Sequence, residues 1–184
     1  MVGRRASGDR NHRFGGAWTT SKLGILGGYL AAYTQALKNQ PFKTAYIDAF
    51  AGTGYRAKAR KVGTDHPLFP LEEEGTRQLL DGSARVALKT APRFGRYIFI
   101  EKNRRRVAEL QRLKVEFPDL ADDIDVRHEE ANQSIRRLCR KDWHMHRAVL
   151  FLDPYGMQVE WATIEAIGRT QAIDLWILFP WVLR

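Results

Sequence analysis

Short apolar segments alternate with stretches of helical spacing along most of the chain, and this alternation restricts the fold more than any other feature. Segments of strand length cover 44–48, 97–101, 124–128, 148–153 and 173–179. Helices fit between them at 83–90, 103–117, 131–142 and 158–169. Strands that alternate with such helices form right-handed βαβ units around a parallel sheet. The sequence therefore predicts an α/β, Rossmann-like open parallel sheet with helices on both faces.

A further helix is predicted before the first strand. Five apolar residues follow helical spacing there, and Pro41 ends the pattern: Leu23, Leu26, Leu30, Tyr33 and Leu37. With 184 residues, the chain has room for one domain with a sizeable core. We divide it into a basic, disordered tail over 1–17 and one domain over 18–184, whose first helix covers 18–40.

The net charge of +9 is concentrated near the amino terminus, because residues 1–65 hold 11 of the 30 Lys and Arg but 3 of the 21 acids. Outside the tail, the excess lies in one basic stretch made of Arg56, Lys58, Arg60 and Lys61. Concentrated positive charge attracts nucleic acid or an acidic partner. A solvated loop is the alternative interpretation.

Two segments depart from the βα pattern. The connection over 55–82 is far longer than the ~2–6 residues usual in βα units, so we expect a lid or an insertion. The apolar stretch over 175–183 would leave a strand uncovered. We expect either that the sheet is truncated after its fifth strand or that another surface covers it.

Several classes of protein and site are excluded. Cys139 is the single cysteine, so the chain alone builds no disulfide framework and no cysteine-based metal site. His144 and His146 lie two positions apart beside Trp143, but this pair does not form a recognisable metal-ligand motif, and no metal site is predicted. The apolar run over 175–183 is shorter than the ~20 residues of a membrane span, and we expect a cytoplasmic protein with no membrane partner.

Three of the predicted strands end in an acid: Asp48, Glu101 and Asp153. Gly52 and Gly54 follow the first of them, and glycine lets the backbone approach a ligand closely. An acid at the end of the second strand is where a ribose diol is bound. No Gly-Lys-Ser/Thr follows Gly54, which argues against a P-loop nucleotide hydrolase. The sequence thus predicts a nucleoside site at the carboxyl edge of the sheet.

The motifs resemble those of class I S-adenosylmethionine-dependent methyltransferases and, more narrowly, of the three-Cys-motif partner protein (TcmP) family. The resemblance rests on residues 14–19, 22–23, 46–54, 82–83, 97–102, 131–132, 149–157 and 173–176. It extends over nearly all of the chain from about residue 14. The Asp-Ala-Phe-Ala-Gly-Thr-Gly and Leu-Asp-Pro-Tyr-Gly-Met blocks are together specific.

The resemblance implies S-adenosylmethionine as the cofactor and roles for individual residues. Asp48, Gly52 and Gly54 match the glycine motif around the methionine part, Glu101 matches the ribose-binding acid, and Glu130 stands near an adenine contact. The family usually reads Gly-Asp-Ala-Asn where this chain has Glu-Glu-Ala-Asn over 129–132. The adjoining residues expected to bind the cofactor are Phe50, Thr53, Lys102 and Ala131.

Asp153-Pro154-Tyr155 resembles the Asp-Pro-Pro-Tyr motif of amino-methylating enzymes, in which a carboxylate and a carbonyl accept from the target amino group and an aromatic ring stacks on the base. Tyr155 replaces the second proline, and Gly156 replaces the aromatic residue. The resemblance implies methylation of an amino group on nucleic acid, together with a separate three-Cys-motif protein of iron–sulfur or radical type. The alternatives are a non-catalytic partner or adaptor subunit and a nucleic-acid-binding module that retains the fold.

Other residues are predicted to have structural roles. Cys139 is expected in the core, and Trp143 and Trp161 are expected to be packing residues, with exposed stacking on nucleic acid as the alternative. Arg104, Arg105 and Arg106 are expected in the first turn of a helix.

Overall fold

A computed structural model describes residues 16–49, 82–154 and 158–178 of the chain, with side chains from residue 21 onward. The helices are α1 (Gly16–Leu37), α2 (described over 82–88), α3 (Arg104–Gln111), α4 (Leu113–Glu116), α5 (Ala131–Cys139) and α6 (Trp161–Thr170). A 3-10 turn covers Pro118–Leu120. The strands are β1 (Lys43–Ala49), β2 (Arg96–Glu101), β3 (Ile124–His128), β4 (His146–Leu152) and β5 (Ile173–Ile177).

The five strands form one open sheet in the order β3-β2-β1-β4-β5, and every neighbouring pair is parallel. β1 is central and pairs with β2 on one side and β4 on the other. The prediction of an α/β fold around an open parallel sheet is confirmed.

Each face of the sheet carries its own apolar cluster because side chains alternate along the strands. The first face presents Tyr46, Phe99 and Phe151, which pack with residues of α1, α2 and α3. The second face presents Ile47, Ile100 and Leu150, which pack with α5 and α6. Both faces are therefore covered by helices, as parallel sheets require.

α1 and α2 lie close together on the first face. A Cβ added at Gly82 would stand 2.5 Å from Cδ1 of Leu23 on α1, and one added at Gly27 would stand 3.3 Å from Val86 on α2. Tyr29 of α1 also donates a 2.6 Å hydrogen bond from its hydroxyl to Asp174 of β5, which holds α1 against the sheet.

Several element boundaries differ from prediction: α5 ends at Cys139 rather than at residue 142, and β4 ends at Leu152, so that Asp153 lies just beyond the strand predicted to end in it. α1 begins at Gly16, inside the tail predicted over 1–17, and α2 already includes Gly82, which was predicted as part of the connection. The helix predicted over 103–117 is divided at Arg112, whose amide donates to the carbonyls of both Glu109 and Leu110. α6 begins at Trp161 rather than at residue 158. The rest of the predicted tail (1–15) and of the predicted insertion (55–81) lies outside the described residues.

The prediction that Trp161 is a packing residue is wrong, because its side chain is 73% exposed, as in the alternative interpretation. Trp161 lies two positions before the buried Thr163, and at 3.6 residues per turn the two side chains point to roughly opposite sides of α6. Trp143 and Cys139 are partly buried against the second cluster, as predicted. The three arginines lie in the first turn of α3, also as predicted.

No helix in the described ranges combines the length and the apolarity that a bilayer crossing needs.

Candidate functional site at the carboxyl edge

Asp48, Glu101 and Asp153 lie at the same edge of the sheet and on the same face. Asp48 is aligned with Phe99 of β2 and with Phe151 of β4, which both face the first cluster. Glu101 follows Phe99 by two positions within β2, so the alternation turns it to the same face. Asp153 lies one residue beyond the end of β4; its charge acts on Asp48, and the ammonium of Lys22 on α1, the helix that covers this face, acts on it. Two interstrand spacings separate β2 from β4, which places the backbones of Glu101 and Asp153 roughly 10 Å apart on either side of β1.

Asp48 is buried, with an exposed fraction of 1%. Its Oδ2 accepts a 2.7 Å hydrogen bond from the hydroxyl of Ser83 and a 3.3 Å bond from that of Tyr46. Its Oδ1 is buried and has no hydrogen-bond partner in the described part of the chain. Burial raises the pKa of Asp48 to about 7, against the lowering effect of the Ser83 and Tyr46 hydroxyls, and the charges of Asp153 and Glu101 raise it further.

Glu101 is equally buried, and one of its carboxylate oxygens accepts a hydrogen bond. Its Oε1 accepts a 2.5 Å hydrogen bond from the amide of Asn103. Its Oε2 lies 3.9 Å from a guanidinium nitrogen of Arg106, and within the described ranges no hydrogen bond reaches it. Burial raises the pKa of Glu101, while the Asn103 amide and Arg106 act in the opposite direction.

Asn103 stabilises the backbone between β2 and α3. Its side chain accepts from the amides of Arg105 and Arg106 and so caps the start of α3. Lys102 is exposed, and its carbonyl lies 2.9 Å from Nε2 of His128. A carbonyl only accepts, so this ring nitrogen carries the hydrogen. The chain around Glu101 is thus held from β3 as well as from α3.

Asp153 follows β4 directly, and Pro154 beside it is buried. Burial raises the pKa of the Asp153 carboxyl, and the nearby ammonium of Lys22 opposes this effect. Because Lys22 belongs to α1, the first turns of that helix lie near this carboxylate. Tyr155 lies outside the described residues.

The remaining predicted residues fall into two groups. Glu130 and Ala131 are among the described residues. The glycine motif and the basic stretch lie outside them: Phe50, Gly52, Thr53, Gly54, Arg56, Lys58, Arg60 and Lys61. Glu130 caps α5, because its carboxylate accepts from the amides of Asn132 and Gln133 at 2.9 and 2.8 Å. Asn132 Nδ2 donates a third bond to it at 3.0 Å, so most of the acceptor capacity of Glu130 is already used.

Ser83 and Asn132 have roles at this edge that sequence reasoning did not assign. Ser83 holds Asp48, and Asn132 joins the loop before α5 to the loop before α6. Their signal in the sequence is weak: each is a small polar residue at or next to the start of a helix predicted from the sequence.

Among residues 16–49, 82–154 and 158–178, no three His, Cys, Asp or Glu side chains are grouped so as to hold a metal ion.

Comparison with known proteins adds no relative to these observations: no family model matches the chain, and neither the curated proteins nor the solved structures include a significant match.

Proposed function

We propose that the chain binds S-adenosylmethionine at the carboxyl edge of its sheet and transfers the methyl group to an amino group of a nucleic-acid base. The observation that supports this most directly is the convergence of Asp48, Glu101 and Asp153 on one face of that edge. Asp48 Oδ1 and Glu101 Oε2 are both buried without a hydrogen bond from a described residue. Leaving such a group unsatisfied costs about 1–3 kcal/mol, and a ligand that donates hydrogen bonds removes this cost.

The two carboxylates suit the two polar ends of this cofactor. Glu101 Oε2 is available to a hydroxyl donor, as expected of an acid that binds a ribose diol. Asp48 Oδ1 is available to an ammonium group, which would also favour the charged form of a carboxyl whose pKa is about 7. The residues present therefore fit the group that the motifs imply.

S-adenosylmethionine supplies an activated methyl group on a sulfonium sulfur. Asp153 accepts a hydrogen bond from the acceptor's amino group, and the pKa that burial raises makes it a better acceptor for the amino proton. Pro154 has no backbone N–H, so only its carbonyl is available for hydrogen bonding. Asp153 and Pro154 together orient the amino group at the end of β4.

The partner in this proposal is the separate three-Cys-motif protein implied by the resemblance. Co-expression with such a protein and size-exclusion chromatography test it. Co-elution supports the pairing, and separate elution of two folded proteins contradicts it.

Calorimetric titration of the full chain with S-adenosylmethionine and with S-adenosylhomocysteine tests cofactor binding. Saturable binding of both, with no comparable binding of ATP, supports the proposal. Absence of binding by a folded chain contradicts it.

A second candidate, a nucleic-acid-binding module, is favoured by three exposed cations at the same edge. Each of these cations is exposed, and they all lie between positions 102 and 105: Lys102, Arg104 and Arg105. Phosphate contacts by such residues make affinity fall steeply with salt. Reversing Lys102 and Arg105 to Glu should then weaken binding of single-stranded RNA or DNA, whereas reversing the exposed Arg140 and Lys141 after α5 serves as the matched control. Equal loss in both variants would indicate a non-specific charge effect.

A further inference from the structure

Trp161 is a large aromatic side chain that the fold leaves in solvent, with an exposed fraction of 73%. Its indole Nε1 donates a 2.9 Å hydrogen bond to Oε1 of Glu165, one turn further along α6. This bond restricts the orientation of the ring while most of its surface stays in water. A ring that is already oriented loses less conformational freedom when another molecule packs against it.

Trp161 lies at the carboxyl edge of the sheet, as the predicted methyl-transfer site does. The amide of Glu160, the residue before it, donates to Oδ1 of Asn132 at 3.0 Å. Asn132 lies in the first turn of α5, three positions after Glu129, whose amide donates to the carbonyl of Glu101 at 3.1 Å. Glu101 is the last residue of β2. These contacts place the start of α6, and Trp161 with it, at this edge on the side of the second face.

The side chains around Trp161 are charged rather than apolar. Glu160 pairs with Arg136 of α5, and Glu165 pairs with Arg169 at 3.4 Å, so each acid beside the ring is neutralised. The other large apolar side chains that are exposed in the described ranges lie on other elements: Ile25, Val115 and Met145. The centre of a protein–protein interface is a contiguous apolar patch with few charges. These surroundings therefore favour a flat ligand that stacks on the ring alone.

A nucleic-acid base is such a ligand, because every base has an aromatic face that stacks on an aromatic side chain. Phosphate contacts are available at the same edge from the exposed Lys102 and Arg105 at the start of α3. α3 packs beside β2 and β3, whereas α6 packs beside β5. A single strand that reaches from these cations to Trp161 therefore crosses the part of the edge where Asp48 and Asp153 lie.

We propose that Trp161 is a base-stacking residue, which binds one unpaired base of a single-stranded nucleic acid at the edge of the sheet that carries the methyl-transfer site. A base inside a duplex is stacked on its neighbours, so this site binds single strands in preference to duplexes. The inference rests on the proposed function for the class of acceptor and makes it more specific. It assigns single-stranded nucleic acid as the substrate and adds a subsite for a base other than the one that is methylated.

Fluorescence anisotropy with a labelled single strand of about 12 nucleotides, as RNA and as DNA, and with the corresponding duplexes tests the site in the full chain. We expect Trp161→Ala to weaken binding of the single strand by about 5- to 100-fold. Trp161→Phe keeps an aromatic face and should stay within about three-fold of the wild type. Met145→Ala, which truncates another exposed apolar side chain, is the matched control and should bind as the wild type does. Duplex binding should be the same in all four chains.

Salt dependence separates stacking from charge. Stacking releases no counterions, so the slope of log affinity against log salt should be equal in the wild type and in Trp161→Ala. The slope should become shallower when Lys102 and Arg105 are both changed to Glu, because phosphate contacts are then lost. A shallower slope in Trp161→Ala would show that the substitution disturbs phosphate contacts, and it would overturn the proposal.

The proposal is also overturned if Trp161→Ala binds the single strand as tightly as the wild type, or if it loses duplex binding to the same extent. Loss of co-elution with a partner protein in Trp161→Ala, with single-strand binding unchanged, would assign the ring to a protein interface instead. Calorimetry with S-adenosylmethionine distinguishes this inference from the proposed function. A chain that binds single strands through Trp161 but binds no cofactor refutes the proposed function alone, whereas a chain that binds the cofactor but no single strand refutes the stacking site.

Discussion

The hydroxyl of Ser83 donates a 2.7 Å hydrogen bond to Oδ2 of Asp48, across 35 positions of sequence. This bond ties α2 to the end of β1. Tyr46 shares the same oxygen, so both donors lie on one side of the carboxylate and Oδ1 is left without a described partner. The arrangement holds the carboxylate in one orientation and leaves it poorly stabilised as an anion.

Replacing Asp48 with Asn should therefore stabilise the fold at alkaline pH. The folded-state pKa is about 7 against an ordinary value of 3.8, so between these values the folded chain holds a proton that the unfolded chain has released. The free energy of unfolding of the wild type then falls as pH rises from about 4 to about 7. We expect Asp48→Asn to be more stable by about 1–3 kcal/mol at pH 8.

Urea unfolding at several pH values measures this difference. It should shrink as the pH is lowered from 8 toward 4, because the folded wild type then takes up a proton at Asp48 and no longer carries the buried charge. A stability difference that is constant over this range would show that the charge of Asp48 is not its cause. The same variant should bind S-adenosylmethionine more weakly if Oδ1 accepts from the ligand.

Glu101→Gln should lower the affinity for the cofactor by at least ten-fold. A hydrogen bond to a charged acceptor contributes about 1.5–3 kcal/mol, and the amide keeps the size of the side chain but not its charge. Glu109→Gln, at an exposed position of α3, is the matched control and should bind as the wild type does. If calorimetry gives the wild type and both variants the same affinity for the cofactor, Glu101 takes no part in binding it.

Gly82→Ala and Gly24→Ala should have opposite effects on stability. An added Cβ at Gly82 meets Leu23 of α1 at 2.5 Å, whereas one at Gly24 has nothing within 4 Å. We expect a loss of about 1 kcal/mol from Gly82→Ala, because Leu23 must leave its rotamer. Gly24→Ala should gain about 0.5–1 kcal/mol from helix propensity. Thermal unfolding distinguishes the two, and a gain in both would mean that α1 and α2 separate at little cost.

Trp161→Ala should cost far less stability than Trp143→Ala. Trp161 is 73% exposed, whereas Trp143 packs on the second cluster and donates from its indole to the Leu138 carbonyl at 3.1 Å. We expect a loss of no more than about 0.5 kcal/mol for Trp161→Ala and about 2–3 kcal/mol for Trp143→Ala. Chemical denaturation measures both, and a large loss at Trp161 would place that ring in a packed environment.

The sheet could be predicted from sequence because strand signals are local. β3 has the predicted bounds, Ile124–His128, since its residues and the flanking turns carry the whole signal. The acids at the strand ends could also be predicted, because the carboxyl ends of parallel strands meet at one edge.

The contacts that orient those acids could not be predicted, because they depend on how helices pack over the sheet. Ser83 reaches Asp48 only once α2 lies on β1, and Asn132 reaches Gln158 only once α5 and α6 lie side by side. The prediction for Trp161 was wrong for a related reason. An indole in a helical stretch predicts burial, but the face of α6 that is buried is decided by Thr163 and Ile167.

The structure of the full chain bound to S-adenosylhomocysteine tests the central claim most directly. We predict that the ribose hydroxyls lie within hydrogen-bond distance of Glu101 and that the amino group lies near Asp48, with Asp153 facing the open side. A ligand seated instead at the opposite edge of the sheet, in the cleft beside Leu88, Arg93 and Phe117, would contradict the account.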